Sequence, residues 1–200
     1  LTNGGFEVAS GAPWQPAQLL TTIPVVVNPA VAHSGNDYLS LGNFNGPSTG
    51  PNSVAVFQTI TIPTNTLVAR FSYFWGCSIG NEAVGADVFS PAIQDGANGV
   101  FPDPHGSANS GYQPGSVDLA AYAGKTILVG FLVQAQTAGV GVQTFFAIDD
   151  ASLMVFTADD IPANDNFTNA TLLTTTTNVS VTVTNVVATK EANEPKHAGA

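Results

Sequence analysis

Three carboxylates in two short segments are the side chains of this chain best suited to chemistry. Glu7 ends the segment Asn3-Gly4-Gly5-Phe6-Glu7, and Asp149 and Asp150 are adjacent in an apolar run much later in the chain. Neighbouring carboxylates repel each other unless a cation lies between them or one of them faces solvent. The two segments are predicted to be the first and last strands of one closed β-sandwich, and acidic residues of this kind could hold a divalent cation.

Aromatic residues are the second candidate for chemistry, as a platform for a sugar. A pyranose presents a CH face that suits a flat apolar ring with a polar tip. The candidates are Trp14, Tyr38, Tyr73, Trp75 and Tyr112. Tyr73 and Trp75 belong to an alternating apolar run, which is typical of core packing. Trp14 and Tyr112 occur in loop-like sequence and are, with Tyr38, the predicted carbohydrate-binding residues.

Two further patterns match catalytic or metal sites only in part. The segment Gly76-Cys77-Ser78-Ile79-Gly80 matches the G-x-S-x-G motif of hydrolases, which needs a helix directly after it. The residues that follow are typical of a loop, and no βαβ pattern occurs. The histidines share no spacing that predicts a metal site; they are His33, His105 and His197. The chain is therefore predicted not to be an enzyme.

Composition excludes several classes of partner. The chain has 200 residues and a formal net charge of −10. This charge repels phosphate backbones and anionic lipid surfaces, so no nucleic-acid partner is expected. No apolar run approaches the roughly 18–20 residues that cross a bilayer, so no membrane insertion is expected. Only 9% of the residues are charged and Cys77 is the single cysteine. A neutral surface rich in hydroxyl groups favours a secreted, extracellular protein at the cell surface.

Alternation of apolar and polar residues predicts strands almost throughout. Period-2 runs occur at 54–62, 67–75 and 127–133, with turn residues between them. The best helical candidate is 117–125, and Gly124 limits it to a single turn. The segment 79–113 is rich in Gly, Pro, Asn and Asp, which predicts long loops around one strand at 86–89. The fold class is predicted to be an all-β, antiparallel sandwich.

A change in composition near residue 158 divides the chain. Residues 1–158 are predicted to form the sandwich, and 159–200 a linker followed by a β-strand tail. The clearest strand of the tail alternates valines with hydroxyl residues; its valines are Val179, Val181, Val183 and Val186. A lone hairpin is marginally stable, and an uncharged strand edge favours pairing with another sheet. The tail is therefore predicted to add a strand to a neighbouring copy.

The tail also carries three N-x-S/T triplets. Their asparagines are Asn166, Asn169 and Asn178. Such triplets arise by chance in Asn- and Thr-rich sequence, but clustered glycans would suit an exposed surface fibre. These asparagines are candidate glycosylation sites.

Residues 1–158 resemble the galactose-binding-like jelly rolls, a fold of many carbohydrate-binding modules and of accessory domains in bacterial surface proteins. The likeness is carried by Asn3-Gly4-Gly5-Phe6-Glu7, by 31–39, by 117–125 and by 148–153. The resemblance implies a jelly-roll β-sandwich. It also implies a structural calcium ion held by Glu7, Asp149, Asp150 and the turn at Ser34, because calcium prefers several oxygen ligands.

The tail resembles the opening of a prepeptidase C-terminal-like β domain. The matching segments are 164–170, 188–191 and 194–199. More strands follow in that family than this sequence supplies, so the tail is predicted to be either a truncated second domain or a donor strand.

Two classes of function follow. The first is an extracellular structural or adhesive protein, in which the tail of one copy joins the next, head to tail, into a filament. The second is a calcium-stabilised carbohydrate-binding module of a larger secreted enzyme, with a polysaccharide as its partner.

Overall fold

The structure is a computed structural model that describes residues 1–18, 20, 22–42, 52–80, 84–135 and 144–161. Its strands are β1 Gln15–Gln18, β2 Val25–Val27, β3 Asp37–Gly42, β4 Asn52–Thr61, β5 Thr66–Ile79, β6 Asp87–Asp95, β7 Asn98–Val100, β8 His105–Gly106, β9 Ser110–Asp118, β10 Thr126–Ala135 and β11 Thr144–Thr157. Within this described part, no helix is long and apolar enough to cross a membrane. The predicted all-β class is confirmed.

The strands form two antiparallel sheets that face each other. The first sheet has the order β1-β4-β10-β6-β7, with β8 also paired to β6, and the second has the order β2-β3-β11-β5-β9. Each strand turns alternate side chains toward the core, as the period-2 pattern predicts. In β10 the inward row is Ile127, Val129, Phe131 and Val133, all buried.

Aromatic rings fill the space between the two sheets. Phe131 of the first sheet lies 5.4 Å from Phe71 and 5.2 Å from Tyr73 of the second, measured between ring centroids. Phe89 stacks on Trp75 at 5.5 Å. Tyr73 and Trp75 are therefore core residues, as the alternation predicts.

The chain opening differs from its prediction as a strand. Residues 1–14 form turns, and Asn3 and Phe6 have positive φ angles of 49° and 56°. The opening is nevertheless fixed to the last strand, because the Ala151 N–H donates to the Gly4 carbonyl at 2.9 Å. A side chain at position 4 would meet the Ala151 carbonyl, so the close approach requires glycine.

The segment 79–113 contains more strands than predicted. The strand expected at 86–89 is longer, as β6, and β7, β8 and the start of β9 lie in the same segment. The predicted single helical turn is a 3-10 turn at Ala120–Tyr122, followed by Gly124 with φ 79°. Pairing with neighbouring strands outweighed the local turn signals in this segment.

A short turn follows β11 at the end of the described residues. A 3-10 turn spans Ala158–Asp160, and the Asn65 side chain donates to Asp159 at 2.7 Å. The tail strand, the three candidate glycosylation asparagines and the segment similar to prepeptidase C-terminal domains lie beyond residue 161, outside the described residues.

The prediction that Trp14 binds sugar is wrong. Trp14 is only 4% exposed, and its ring stacks on Phe6 at 5.4 Å and on Phe131 at 5.8 Å. Its indole N–H donates to the Asn3 carbonyl at 2.9 Å. The loop-like sequence around Trp14 concealed its burial, because the irregular opening folds back over the end of the core.

Replacing Trp14 with alanine is expected to lower the free energy of unfolding by about 3–5 kcal/mol, since it leaves a large cavity in the core. Urea unfolding followed by circular dichroism measures the change. Val27→Ala is the control, because Val27 is 68% exposed on β2 and its replacement should change stability by no more than about 0.5 kcal/mol. A Trp14→Ala variant as stable as Val27→Ala would contradict the core assignment.

Candidate functional site

The three predicted carboxylates come together around one loop. The Asp149 Oδ2 atom accepts hydrogen bonds from the backbone N–H groups of His33 at 2.9 Å and Ser34 at 3.1 Å. Asp150 accepts from the Ser34 hydroxyl at 2.6 Å and contacts His33 Nδ1 at 2.6 Å. We call this arrangement of Glu7, Asp149 and Asp150 around residues 33–37 the acidic clasp.

Glu7 holds the far end of the same loop. Its Oε1 atom accepts the backbone N–H groups of Asn36 at 2.9 Å and Asp37 at 3.1 Å. Gly35 lies between these contacts with φ 64°, and a side chain there would collide with the Glu7 carboxylate. The clasp therefore joins the opening of the chain, the 33–37 loop and the last strand.

An irregularity in the pairing of β11 turns the Asp149 and Asp150 carboxylates toward the 33–37 loop. The register of β11 against β5 shifts between Asp149 and Ser152, and Asp150 has a φ of 50°. An irregularity of this kind redirects side chains at the edge of a regular ladder. Asp149 is fully buried under the loop although the strand alternation places it on the outer face.

Burial raises the pKa of the Asp149 carboxyl, while N–H groups of Ser34, Asp150 and His33 lower it in part. The nearby charge of Asp150 raises it further. In the part of the chain that the structure describes, no lysine or arginine forms an ion pair with the clasp. A buried carboxylate beside a second one is stabilised when a cation approaches.

The ligand types and spacing of the acidic clasp can be compared with those that a calcium site requires. Its donor set is of the right kind, since carboxylate and hydroxyl oxygens are what calcium prefers. The spacing is less favourable: among the described residues, no three His, Cys, Asp or Glu side chains are grouped closely enough to hold a metal ion. Hydrogen bonds from the loop engage the carboxylate oxygens that an ion would use. Calcium at Glu7, Ser34, Asp149 and Asp150 therefore stays a prediction.

A groove crosses the outer face of the first sheet, and we call it the glutamine groove. Its volume is about 410 Å³, and its described lining carries no charged side chain. Three glutamines and two phenylalanines surround it: Gln15, Gln94, Gln134, Phe57 and Phe101. Phe101 is 49% exposed, and the Gln94 amide is oriented by a 3.0 Å bond to the Gly96 carbonyl.

Small residues give this groove its depth. Ala17, Ala55 and Leu132 are paired across β1, β4 and β10 on the outer face. Ala55 and Leu132 are buried together with Ala92 of β6, although these side chains point away from the main core. The low floor between taller side chains produces a depression that runs across the strands.

A second groove, the tyrosine groove, lies on the outer face of the other sheet. Tyr38 and Tyr112 line it with Phe145, and its volume is about 570 Å³. Two of the three predicted carbohydrate-binding residues therefore lie in one groove, while Trp14 lies in the core.

The glutamines and Phe101 were not predicted from the sequence. Each occurs in an unremarkable strand or loop, and only the pairing of β1, β4, β10 and β6 brings them to one surface. The sequence offered one indication of this surface. Gln94 and Gln134 occupy the outward-facing positions of their strands and therefore lie on the same face of the sheet.

The hydrolase motif does not form a nucleophile elbow. Ser78 lies within β5, which continues to Ile79. The motif needs a sharp turn from strand to helix at the serine, and β5 is extended there.

Replacing Gly35 with alanine is expected to destabilise the sandwich more than the same change at Gly96. Both glycines have positive φ angles, 64° and 59°, so the strain of placing alanine in this backbone conformation is similar in the two variants. A new Cβ at 96 meets nothing within 4 Å, whereas at 35 it displaces Glu7 and its two hydrogen bonds. Thermal or urea unfolding should show an additional loss of about 1–3 kcal/mol for Gly35→Ala. Equal losses would mean that the clasp contributes nothing.

Comparison with known proteins relates the chain to others by fold. No protein-family model matches the sequence, and a search of curated proteins finds no match. Among solved structures, TmCBM61, solved in complex with beta-1,4-galactotriose, superposes with a TM-score of 0.57 at 18% identity, covering 78% of this chain and 97% of that one.

Two other carbohydrate-binding structures superpose less well. The CBM22-1 xylan-binding domain of Paenibacillus barcinonensis Xyn10C has a TM-score of 0.47 at 11% identity, covering 72% of this chain and 86% of that one. A structure of promiscuous carbohydrate-binding modules of the β-sandwich superfamily has a TM-score of 0.48 at 14% identity, covering 76% and 58%. The likeness in fold therefore rests on TmCBM61.

Proposed function

We propose that this protein is a non-catalytic module that binds a neutral polysaccharide in the glutamine groove. The observation that carries the proposal is the combination of three glutamine amides and two phenylalanine rings around a buried apolar floor. The fold shared with TmCBM61 supports the same class of function. Because such binding acts on extracellular polymers, we expect the protein to be secreted.

Amide side chains suit the hydroxyl groups of a sugar. Each glutamine offers two N–H donors and one carbonyl acceptor, and every sugar hydroxyl both donates and accepts. Gln15 and Gln134 lie on β1 and β10, and Gln94 on β6, so donors and acceptors occur along the full width of the groove. An extended chain lying across the strands could contact all three.

The apolar parts of the groove suit the CH face of a pyranose. Phe101 is half exposed at one side, and Phe57 is partly buried against the alanine floor. Aromatic rings supply contact area at little cost in side-chain entropy. The absence of charged side chains in the described lining, with a net charge of −10, disfavours acidic polysaccharides.

The filament alternative depends on residues 162–200, which lie outside the described residues. No feature of the described sandwich favours self-association over polysaccharide binding, so binding is the function that we propose.

Native affinity electrophoresis tests the proposal. We expect retardation by at least one of β-1,4-galactan, xylan and a β-1,4-glucan, and none by polygalacturonate. Phe101→Ala should weaken binding by about tenfold, and Gln94→Ala roughly two- to tenfold, from the loss of one hydrogen bond of about 0.5–1.5 kcal/mol.

Gln113→Ala is the matched control for this experiment. Gln113 is exposed on β9 of the opposite sheet and lines neither groove. It should bind as the unchanged protein does. Retention that survives both Phe101→Ala and Gln94→Ala would exclude the glutamine groove as the binding site.

We further propose that calcium stabilises this module at the acidic clasp. The support is the position of the Asp149 and Asp150 carboxylates close to Glu7, with no lysine or arginine paired to them among the described residues. Binding would require some loop N–H groups to give up their carboxylate partners to the ion.

Calcium should raise the melting temperature of protein treated with a chelator. At a hundred times its dissociation constant, an ion stabilises by about 2.7 kcal/mol, roughly 5–10 °C for a chain of this size. Asp150→Asn should abolish the rise, while Asp118→Asn, which changes an exposed carboxylate at the end of β9, should keep it. An unchanged melting temperature with calcium would refute the site.

A further inference from the structure

The tyrosine groove is a second, separate cavity on the face opposite the glutamine groove. It is formed on the sheet β2-β3-β11-β5-β9, whereas the glutamine groove is formed on the other sheet. The aromatic core lies between them, so one ligand chain cannot occupy both grooves without passing around the sandwich.

A row of small residues forms the floor of the tyrosine groove. Ser40, Ala147 and Gly76 are paired side by side across β3, β11 and β5. A side chain on Gly76 would approach the backbone of residues 110 and 111 at 3.3–3.4 Å, which is tighter than ordinary contact. The floor is thus kept low by residue size.

Aromatic rings form the walls. Tyr38 and Phe145 rise on β3 and β11, both partly exposed, and Tyr112 rises on β9. The hydroxyls of Ser40, Ser78 and Ser110 lie among the lining residues. The groove therefore combines flat apolar surface with groups that donate and accept hydrogen bonds, which is the chemistry that a sugar requires.

The Tyr112 wall is held in place by the acidic clasp. The rings of Tyr112 and His33 form a T-shaped pair with centroids 5.2 Å apart, and His33 stacks on Phe74 at 3.8 Å. Burial raises the pKa of the Tyr112 hydroxyl, and the nearby carboxylates of Asp149 and Asp150 add to this. The contact with His33 limits the orientations of the Tyr112 ring, which favours a preorganised surface.

Charge favours a neutral occupant here as well. The described lining has no ionised side chain, and the neighbouring clasp is acidic, so anions are repelled.

From these observations we infer that the tyrosine groove is a second site for neutral sugars, which makes the module bivalent and able to bridge two polysaccharide chains. This inference rests on the proposed function, because it assigns the same class of ligand to both faces.

Isothermal titration with oligosaccharides of three to six units tests the inference. The probes are cut from β-1,4-galactan, xylan and a β-1,4-glucan. The unchanged protein should bind two oligosaccharides per chain with at least one of them. Tyr38→Ala should reduce this number to one, and so should Phe101→Ala in the glutamine groove.

A second variant guards against a change in folding. Ala147→Phe fills the middle of the floor from an outward-facing, half-buried position and should also leave one bound oligosaccharide. Gln113→Ala should keep two. The melting temperature of each variant is compared with that of the unchanged protein to check that the sandwich is intact.

The outcomes separate the two proposals. One site, lost in Phe101→Ala and unaffected by Tyr38→Ala and Ala147→Phe, overturns the second site and keeps the proposed function. One site lost only with the tyrosine-groove variants keeps the second site and overturns the glutamine groove. No binding to any probe overturns both.

Discussion

The strict alternation of side chains in two sheets that share one aromatic core is the constraint on which this structure depends. Most inward positions of the described strands belong to the core, where Phe71, Phe89 and Phe131 meet between the sheets. Binding chemistry must therefore use the outward positions, which face solvent on two opposite surfaces. Trp14 illustrates the rule, because a residue with the right chemistry for sugar binding contributes to stability when it lies on the inner side.

A groove forms on an outer face where small side chains are paired with one another across neighbouring strands. Ala17, Ala55 and Leu132 do this on one face, and Ser40, Ala147 and Gly76 on the other. Large side chains remain at the sides of each row. A depression of this kind follows from the pairing of four or five strands and needs no loop insertion, which fits ligands that are extended chains.

The acidic clasp connects stability to the shape of one groove. It fixes the 33–37 loop to both the opening of the chain and the last strand through the carboxylates of Glu7 and Asp149. Through His33 the same loop supports Tyr112. A cation at the clasp would therefore affect more than the melting temperature, since the wall of the tyrosine groove contacts His33 of the loop that these carboxylates hold.

The sequence by itself determined the fold class and the inward rows, since alternation and short turn motifs are local signals. The grouping of Glu7 with Asp149 and Asp150 followed from the resemblance to galactose-binding-like jelly rolls. The sequence also selected Tyr38 and Tyr112 as candidates, and both line one groove. Only the tertiary structure decided that Trp14 is buried, that Gln15, Gln94 and Gln134 share a surface, and that the two grooves lie back to back. Strand order and register join residues that are distant in the chain, and period-2 patterns carry no information about which strands become neighbours.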